Sequence, residues 1–264
     1  MAPDSLWHFE ISASGTHKGF RLDGFSLFWK ILEGEWIFGI HRSGDSVHEL
    51  ESPDLEWLDS DPPDDTTWRR VASVEDVPVL KILPVMPDRP VVVRPEFTYS
   101  LLPGEKVNII VGVPLSVSIQ TPTELTLIEE PVHPLSNTWF GLPTDGELCY
   151  AMRTLARREG ENLDFGPARV ICPVRIRNQS KEILSFERLC LRVHYLSIYE
   201  NDHQKLWANE SSVVIREKGS WSRVAFAKKA PANLTNPKLL SPGKAMADGT
   251  FLLRALNEGK GLFQ

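Results

Sequence analysis

Long apolar runs are missing from this chain of 264 residues. The longest weakly polar stretch, Val107 to Ile119, is broken by Asn108, Gly112, Pro114 and two serines. It falls well short of the ~20 apolar residues of a membrane-spanning helix. It reads as two strands, and membrane insertion is not expected. The amino-terminal stretch Met1-Ala-Pro-Asp-Ser-Leu-Trp-His-Phe-Glu10 has no basic start followed by an apolar segment, so no secretory signal is legible and a cytoplasmic location is expected. Cysteine is scarce as well. Cys149, Cys172 and Cys190 form no CxxC pair and are odd in number, which argues against a disulfide framework and against a cysteine zinc cage. Free thiols are expected. Without a secretory route the glycosylation-type triplets at Asn178, Asn209 and Asn233 carry no weight.

Catalytic signatures are also missing. The sequence holds no HExxH, no GxSxG, no phosphate-cradling GxxxxGK and no dinucleotide-binding GxGxxG. Triads assembled from distant residues escape such a scan, so an unrecognised hydrolase stays as an alternative, but the chain is not expected to be an enzyme. No cofactor and no bound metal is implied. With a net charge of −6 and no dense basic stripe, nucleic-acid binding is not expected either.

What is present is strand chemistry. Gly19 to Ile40 alternates aromatic and aliphatic residues with polar ones around Asp23-Gly24 and Glu33-Gly34, predicting a meander with strands near 20–32 and 35–42. Segment 43–78 breaks the pattern with Ser52-Pro53, Asp61-Pro62-Pro63-Asp64-Asp65 and Asp76-Val77-Pro78, and reads as a long acidic loop. Apolar runs return at 79–85, 90–93, 98–102, 107–111 and 115–120, separated by proline turns. That spacing suits a β-sandwich.

The clearest alternation runs from Arg169 to Asn178, with Val170, Cys172, Val174 and Ile176 on one face and Arg169, Arg175 and Arg177 on the other. A strand at 187–199 would place Arg188, Cys190, Arg192 and His194 opposite Leu189, Leu191, Val193 and Tyr195, and the two strands read as an antiparallel hairpin. The same parity sets Cys172 inward and Cys190 outward. Further strands are expected at 211–216 and 223–228, while 147–158 is a strand or a short helix. Asp248 to Glu258, with Phe251, Leu252, Ala255 and Leu256 on one stripe ahead of Gly259, predicts one short helix.

The expected fold class is therefore all-β: two β-sandwich-like units at 1–130 and 131–232, or one large β-domain, then a tail at 233–264 with a short C-terminal helix. Charge follows this division. Residues 1–149 carry 10 basic and 24 acidic side chains, whereas residues 150–229 carry 15 and 9, which points to two surfaces of opposite sign.

Three groups of residues invite a binding reading. Arg175, Arg177, Arg192 and His194 would share the outward face of the hairpin, a candidate face for an anion or a partner, although pairing with nearby carboxylates is the simpler account. His41 and His48 beside Asp45 and Glu49 are ligand types for a transition metal, but nothing fixes their geometry and a polar turn is the simpler reading. The carboxylates between Glu51 and Asp65 lack the DxDxDG order of a calcium loop and read as solvated. His133 and His203 read as exposed turn residues. Eight tryptophans raise a carbohydrate-binding β-sandwich as an alternative, with core packing the simpler account.

The stretches Trp139-Phe-Gly-Leu-Pro-Thr-Asp-Gly-Glu-Leu-Cys-Tyr150, Pro173-Val-Arg-Ile-Arg-Asn178 and Arg188-Leu-Cys-Leu-Arg-Val-His-Tyr-Leu-Ser-Ile-Tyr199 resemble an uncharacterised prokaryotic family, domain of unknown function 432. The resemblance spans residues 20–232. It implies a soluble prokaryotic protein without assigned activity or catalytic residues to carry over, and some members are associated with genes for small-conductance mechanosensitive channels. The expectation is a non-enzymatic binding or regulatory protein whose partner is another protein, with the cytoplasmic part of such a channel suggested by the resemblance alone.

Overall fold

A computed structural model describes residues 6–12, 15, 17–43, 55–72, 79–95, 97–158, 165–217 and 221–258. Among them every regular element is a strand except two single turns of 3₁₀ helix, Leu6–His8 and Val193–Tyr195. The strands form three sheets of four, five and fourteen strands.

The chain divides into two compact units. One comprises residues 1–85, 114–133 and 165–168, and the other 86–113, 134–164 and 169–264. The first unit holds the two smaller sheets. Its five-stranded sheet is the expected meander, Gly19–Leu22, Phe25–Leu32 and Glu35–Arg42 in antiparallel sequence. The turn between the first two strands is Asp23-Gly24, where both residues have positive φ (47° and 75°), the backbone of a two-residue hairpin whose twist matches its strands. Phe20, Leu22, Phe25, Leu27 and Phe38 are almost wholly buried.

The acidic segment is not a loop throughout. Glu56–Leu58 pairs with Gly19–Leu22, and Thr67–Ala72 pairs with Glu35–Arg42. Apart from Leu58 and the half-buried Trp57 and Val71, these strands are exposed, so their side chains announce no buried face. Two cations are drawn onto one buried carboxylate here: Arg42 and Arg69 contact Glu130 at 3.1 and 2.6 Å.

The second unit contains the fourteen-stranded sheet. Arg169–Asn178 forms as expected, with Cys172, Val174 and Ile176 buried and Arg175 and Arg177 exposed. Arg169, assigned by parity to the exposed side, is buried and donates from Nη1 to the Gly112 carbonyl at 3.1 Å. Asp145–Arg158 is a strand of 14 residues, which settles the strand-or-helix alternative there.

Two expectations are corrected. Arg169–Asn178 does not form a hairpin with the strand that follows it. Its neighbours are Lys106–Pro114, Leu206–Ala208 and Ser211–Ile215, whereas Leu184–Leu191 pairs with Val91–Pro95, Tyr99–Leu101 and Leu256–Glu258. Alternation fixes which face a side chain takes, not which strand lies beside it.

The short C-terminal helix is absent. Thr250–Leu253 pairs with Ser222–Phe226, and Leu256–Glu258 pairs with Leu184–Leu191. An isolated helix of this length is marginal. Two existing strands offer the segment backbone partners along one edge each, and the Ala255 carbonyl accepts from the Cys190 N–H at 2.7 Å.

Candidate functional site

The residues proposed as a basic face are dispersed. Arg175 is exposed and pairs with Glu210 at 2.8 Å, the local ion pair that the sequence offered as the simpler account. Arg177 is exposed on the same strand. Arg192 and His194 leave the strand altogether, because Leu184–Leu191 ends and a 3₁₀ turn follows. Arg192 is 3% exposed. Burial and the neighbouring Arg192 charge hold His194 below its ordinary range. Of the His41 metal reading, Asp45, His48 and Glu49 lie outside the described residues; His41 Nε2 lies 3.4 Å from Asp65. His133 is not an exposed turn residue: its ring lies 2.9 Å from the buried Asp23 carboxylate.

A different cluster assembles around Arg192. Ser136–Leu142 and Asp145–Arg158 form an antiparallel hairpin in which Phe140 faces Glu147 and Thr138 faces Cys149. Strand alternation puts these four on one side. On the adjoining ladder Val91–Pro95 lies between this hairpin and Leu184–Leu191, so that Val92 aligns with Ala151 on one flank and with Cys190 on the other. The side chains of Val92, Phe140, Cys149 and Cys190 form one buried group.

The two sulfurs are 3.8 Å apart. The Glu147 carboxylate reaches the same place: its Oε1 lies 3.9 Å from Cys190 Sγ and accepts a close hydrogen bond from Arg192 Nη2. Arg192 Nη1 also donates to the Cys190 carbonyl at 3.3 Å. Glu147, Cys149 and Cys190 each present one ligand-type atom, all within 4.8 Å of one another.

Titration of the thiols is set by these contacts. The hydrogen bond from the Cys190 S–H lowers Cys149 below the ordinary cysteine range. The same bond, with burial added, pushes Cys190 well above it. Cys172, on another strand, is raised by complete burial. All three thiols are buried, so native-state labelling with iodoacetamide is expected to be slow at each and to need local opening, with Cys149, whose thiolate is favoured, modified ahead of Cys172. Peptide mass spectrometry over a time course checks the order, and early modification of Cys172 would refute it.

Sequence reasoning missed this site because the two cysteines are separated by 41 positions and by an intervening strand. A signal was nonetheless present. Glu147-x-Cys149 and Cys190-x-Arg192 are i, i+2 pairs that each join a thiol to a charge, and the charges are opposite.

The tryptophans are divided. Trp7, Trp29 and Trp36 are buried, whereas Trp68, Trp139 and Trp221 are exposed. Lys30 lies over the Trp68 ring and Arg254 over the Trp221 ring, at 4.5 and 5.3 Å. Trp139 donates from Nε1 to the Leu142 carbonyl at 2.9 Å, and its ring crosses Gly146, where an added Cβ would come within 2.4 Å. Trp139 stands directly across from Leu148 on the outward side of the hairpin, and both are about half exposed, at 49% and 45%.

A family model described as "Protein of unknown function (DUF432)" matches residues 8–256. No curated protein and no solved structure matches the chain.

Proposed function

The chain belongs to the DUF432 family of proteins of unknown function, and from that premise we propose that it is a non-enzymatic regulatory protein whose responsive element is the Cys149–Cys190 pair. One observation carries this reading: a single hairpin, Ser136–Leu142 with Asp145–Arg158, bears Cys149 and Glu147 on its inner side, where Cys190 of Leu184–Leu191 meets them, and the exposed Trp139–Leu148 pair on its outer side. A chemical change at the sulfurs is felt by Phe140, which belongs to the same buried group. The next residue on that strand is Gly141, whose φ of +116° lets the backbone bend without strain. The outer side then presents a different surface to a protein partner. An exposed tryptophan is a common anchor of such contacts, and the leucine beside it extends the apolar patch.

The carbohydrate-binding alternative is less well supported, because a cation already covers one face of two of the three exposed indoles. A cytoplasmic location keeps the pair reduced at rest, and the cytoplasmic part of a mechanosensitive channel is the first bait that the family resemblance suggests. In affinity capture with that bait, and separately from host lysate, the Trp139→Ser/Leu148→Ser variant is expected to lose a partner that wild type retains. Both changes lie on an exposed face and leave the fold intact, which circular dichroism verifies. Equal capture by both proteins would end the proposal.

A further inference from the structure

We infer that Cys149, Cys190 and Glu147 form a binding site for one thiophilic divalent cation of the zinc class, an inference that rests on reading the thiol pair as the responsive element. Three features of the geometry point there.

The sulfurs are 3.8 Å apart, which is the edge of a tetrahedron built on metal–sulfur bonds of about 2.3 Å and far beyond the ~2.05 Å of a disulfide. Closing a disulfide is also opposed by the sheet. Val91–Pro95 lies between the two cysteine strands, so regular ladder spacing sets their backbones roughly 9 Å apart. A disulfide wants Cα atoms within ~7 Å. A metal ion bridges that gap without moving a strand.

The third donor is a carboxylate already fixed in place. Arg192 grips Glu147 Oε1 in the way that outer partners orient metal-binding carboxylates. Charge also closes. Two thiolates, one carboxylate and one guanidinium sum to −2, and a divalent cation brings this group, buried at both thiols and at the guanidinium, to neutrality, which burial favours. Two sulfurs with one oxygen favour zinc-class ions over magnesium or calcium, and the fourth position is left to water. Binding exchanges two thiol protons for the metal ion, with no oxidant or reductant involved.

The test uses the full chain, reduced with a phosphine and stripped with a chelator, then titrated with cobalt(II) as a coloured zinc substitute. One equivalent is expected to produce the visible bands of tetrahedral cobalt with near-ultraviolet thiolate-to-cobalt charge transfer, and zinc(II) should bleach both. Cys172→Ser keeps the spectrum, while Cys149→Ser and Cys190→Ser each lose most of the charge transfer. Arg192→Met, which removes only the outer partner, weakens cobalt binding about 10–100-fold. A wild-type spectrum of octahedral cobalt without charge transfer needs no variant to interpret: it reduces the pair to a sulfur–sulfur hydrogen bond and overturns the site. So does charge transfer that survives in both cysteine variants. Cobalt binding together with partner capture that ignores Trp139 and Leu148 would overturn the regulatory reading and leave the metal site standing. The reverse pattern would do the opposite.

Discussion

Replacing Glu147 with alanine is expected to lower the unfolding free energy by about 3–5 kcal/mol, and replacing Arg192 with methionine by no more than about 2 kcal/mol. The asymmetry follows from where each charge is left. The Arg192 side chain is 3% exposed and the Glu147 side chain 37% exposed. Without Glu147 the guanidinium stays buried, with the Cys190 carbonyl as its remaining described partner, and neither water nor a rotamer change easily relieves it. Without Arg192 the carboxylate turns toward solvent and recovers most of its hydration, while the methionine refills the apolar volume of the arginine stem. The double variant should resemble Arg192→Met alone, because the stranded charge is gone. Urea denaturation of the four proteins measures the cycle, and equal losses for the two single variants would show that the pair is not held as described.

The second large effect is expected at Asn178. Its side chain is completely buried and uses its whole bonding capacity: Nδ2 donates to the carbonyls of Leu101 and Glu182 at 2.9 and 2.8 Å, and Oδ1 accepts from the Ser180 N–H and hydroxyl at 3.0 and 2.7 Å. The Asn178 backbone also joins the turn at Gly104 and Glu105. Asn178→Ala removes the side-chain partners of the Leu101 carbonyl and the Ser180 N–H, while the Glu182 carbonyl keeps the Ser180 hydroxyl at 3.1 Å; a buried polar group left without a partner costs roughly 1–3 kcal/mol, so a loss of about 2–4 kcal/mol is expected. Asn178→Asp should be worse at neutral pH, since a carboxylate would face two carbonyl oxygens with nothing to donate. Protonation restores one donor, so this variant should recover stability relative to wild type as the pH is lowered toward 4. Chemical denaturation at two pH values separates the cases. The same four bonds leave no free amide at Asn178, and the Asn209 amide is similarly engaged by Ala227 and Ser197, a structural reason for setting aside both glycosylation-type triplets.

The sequence made the class of the fold legible, since alternation and turn chemistry are local. Asp23-Gly24, the run Cys172–Val174–Ile176 and the strand at Val79–Val85 all formed where side-chain patterning placed them. Pairing was not legible, because it depends on residues far away in sequence. Arg169–Asn178 acquires a parallel partner at Ser211–Ile215, and nothing in either segment states that preference. Phe251, Leu252, Ala255 and Leu256 satisfy a helical stripe equally well, and only the backbone groups offered by Ser222–Phe226 and Leu184–Leu191 decide for strands. The site suffered most from this. Parity put Cys190 opposite Leu189 and Leu191 and so toward solvent, yet all three are buried, because this end of the strand is covered on both faces.

The placement of Leu256–Glu258 beside Leu184–Leu191 also has a consequence for biosynthesis. A ribosome delivers residues in order, so the strand carrying Cys190 emerges some seventy residues before the segment that flanks it. During that interval its N–H row, including the group destined for Ala255, is an open template for other chains. Nascent protein is therefore most exposed to misassembly late in translation. Chains halted before residue 250 should associate with one another or recruit chaperones, whereas chains extended past residue 258 should not.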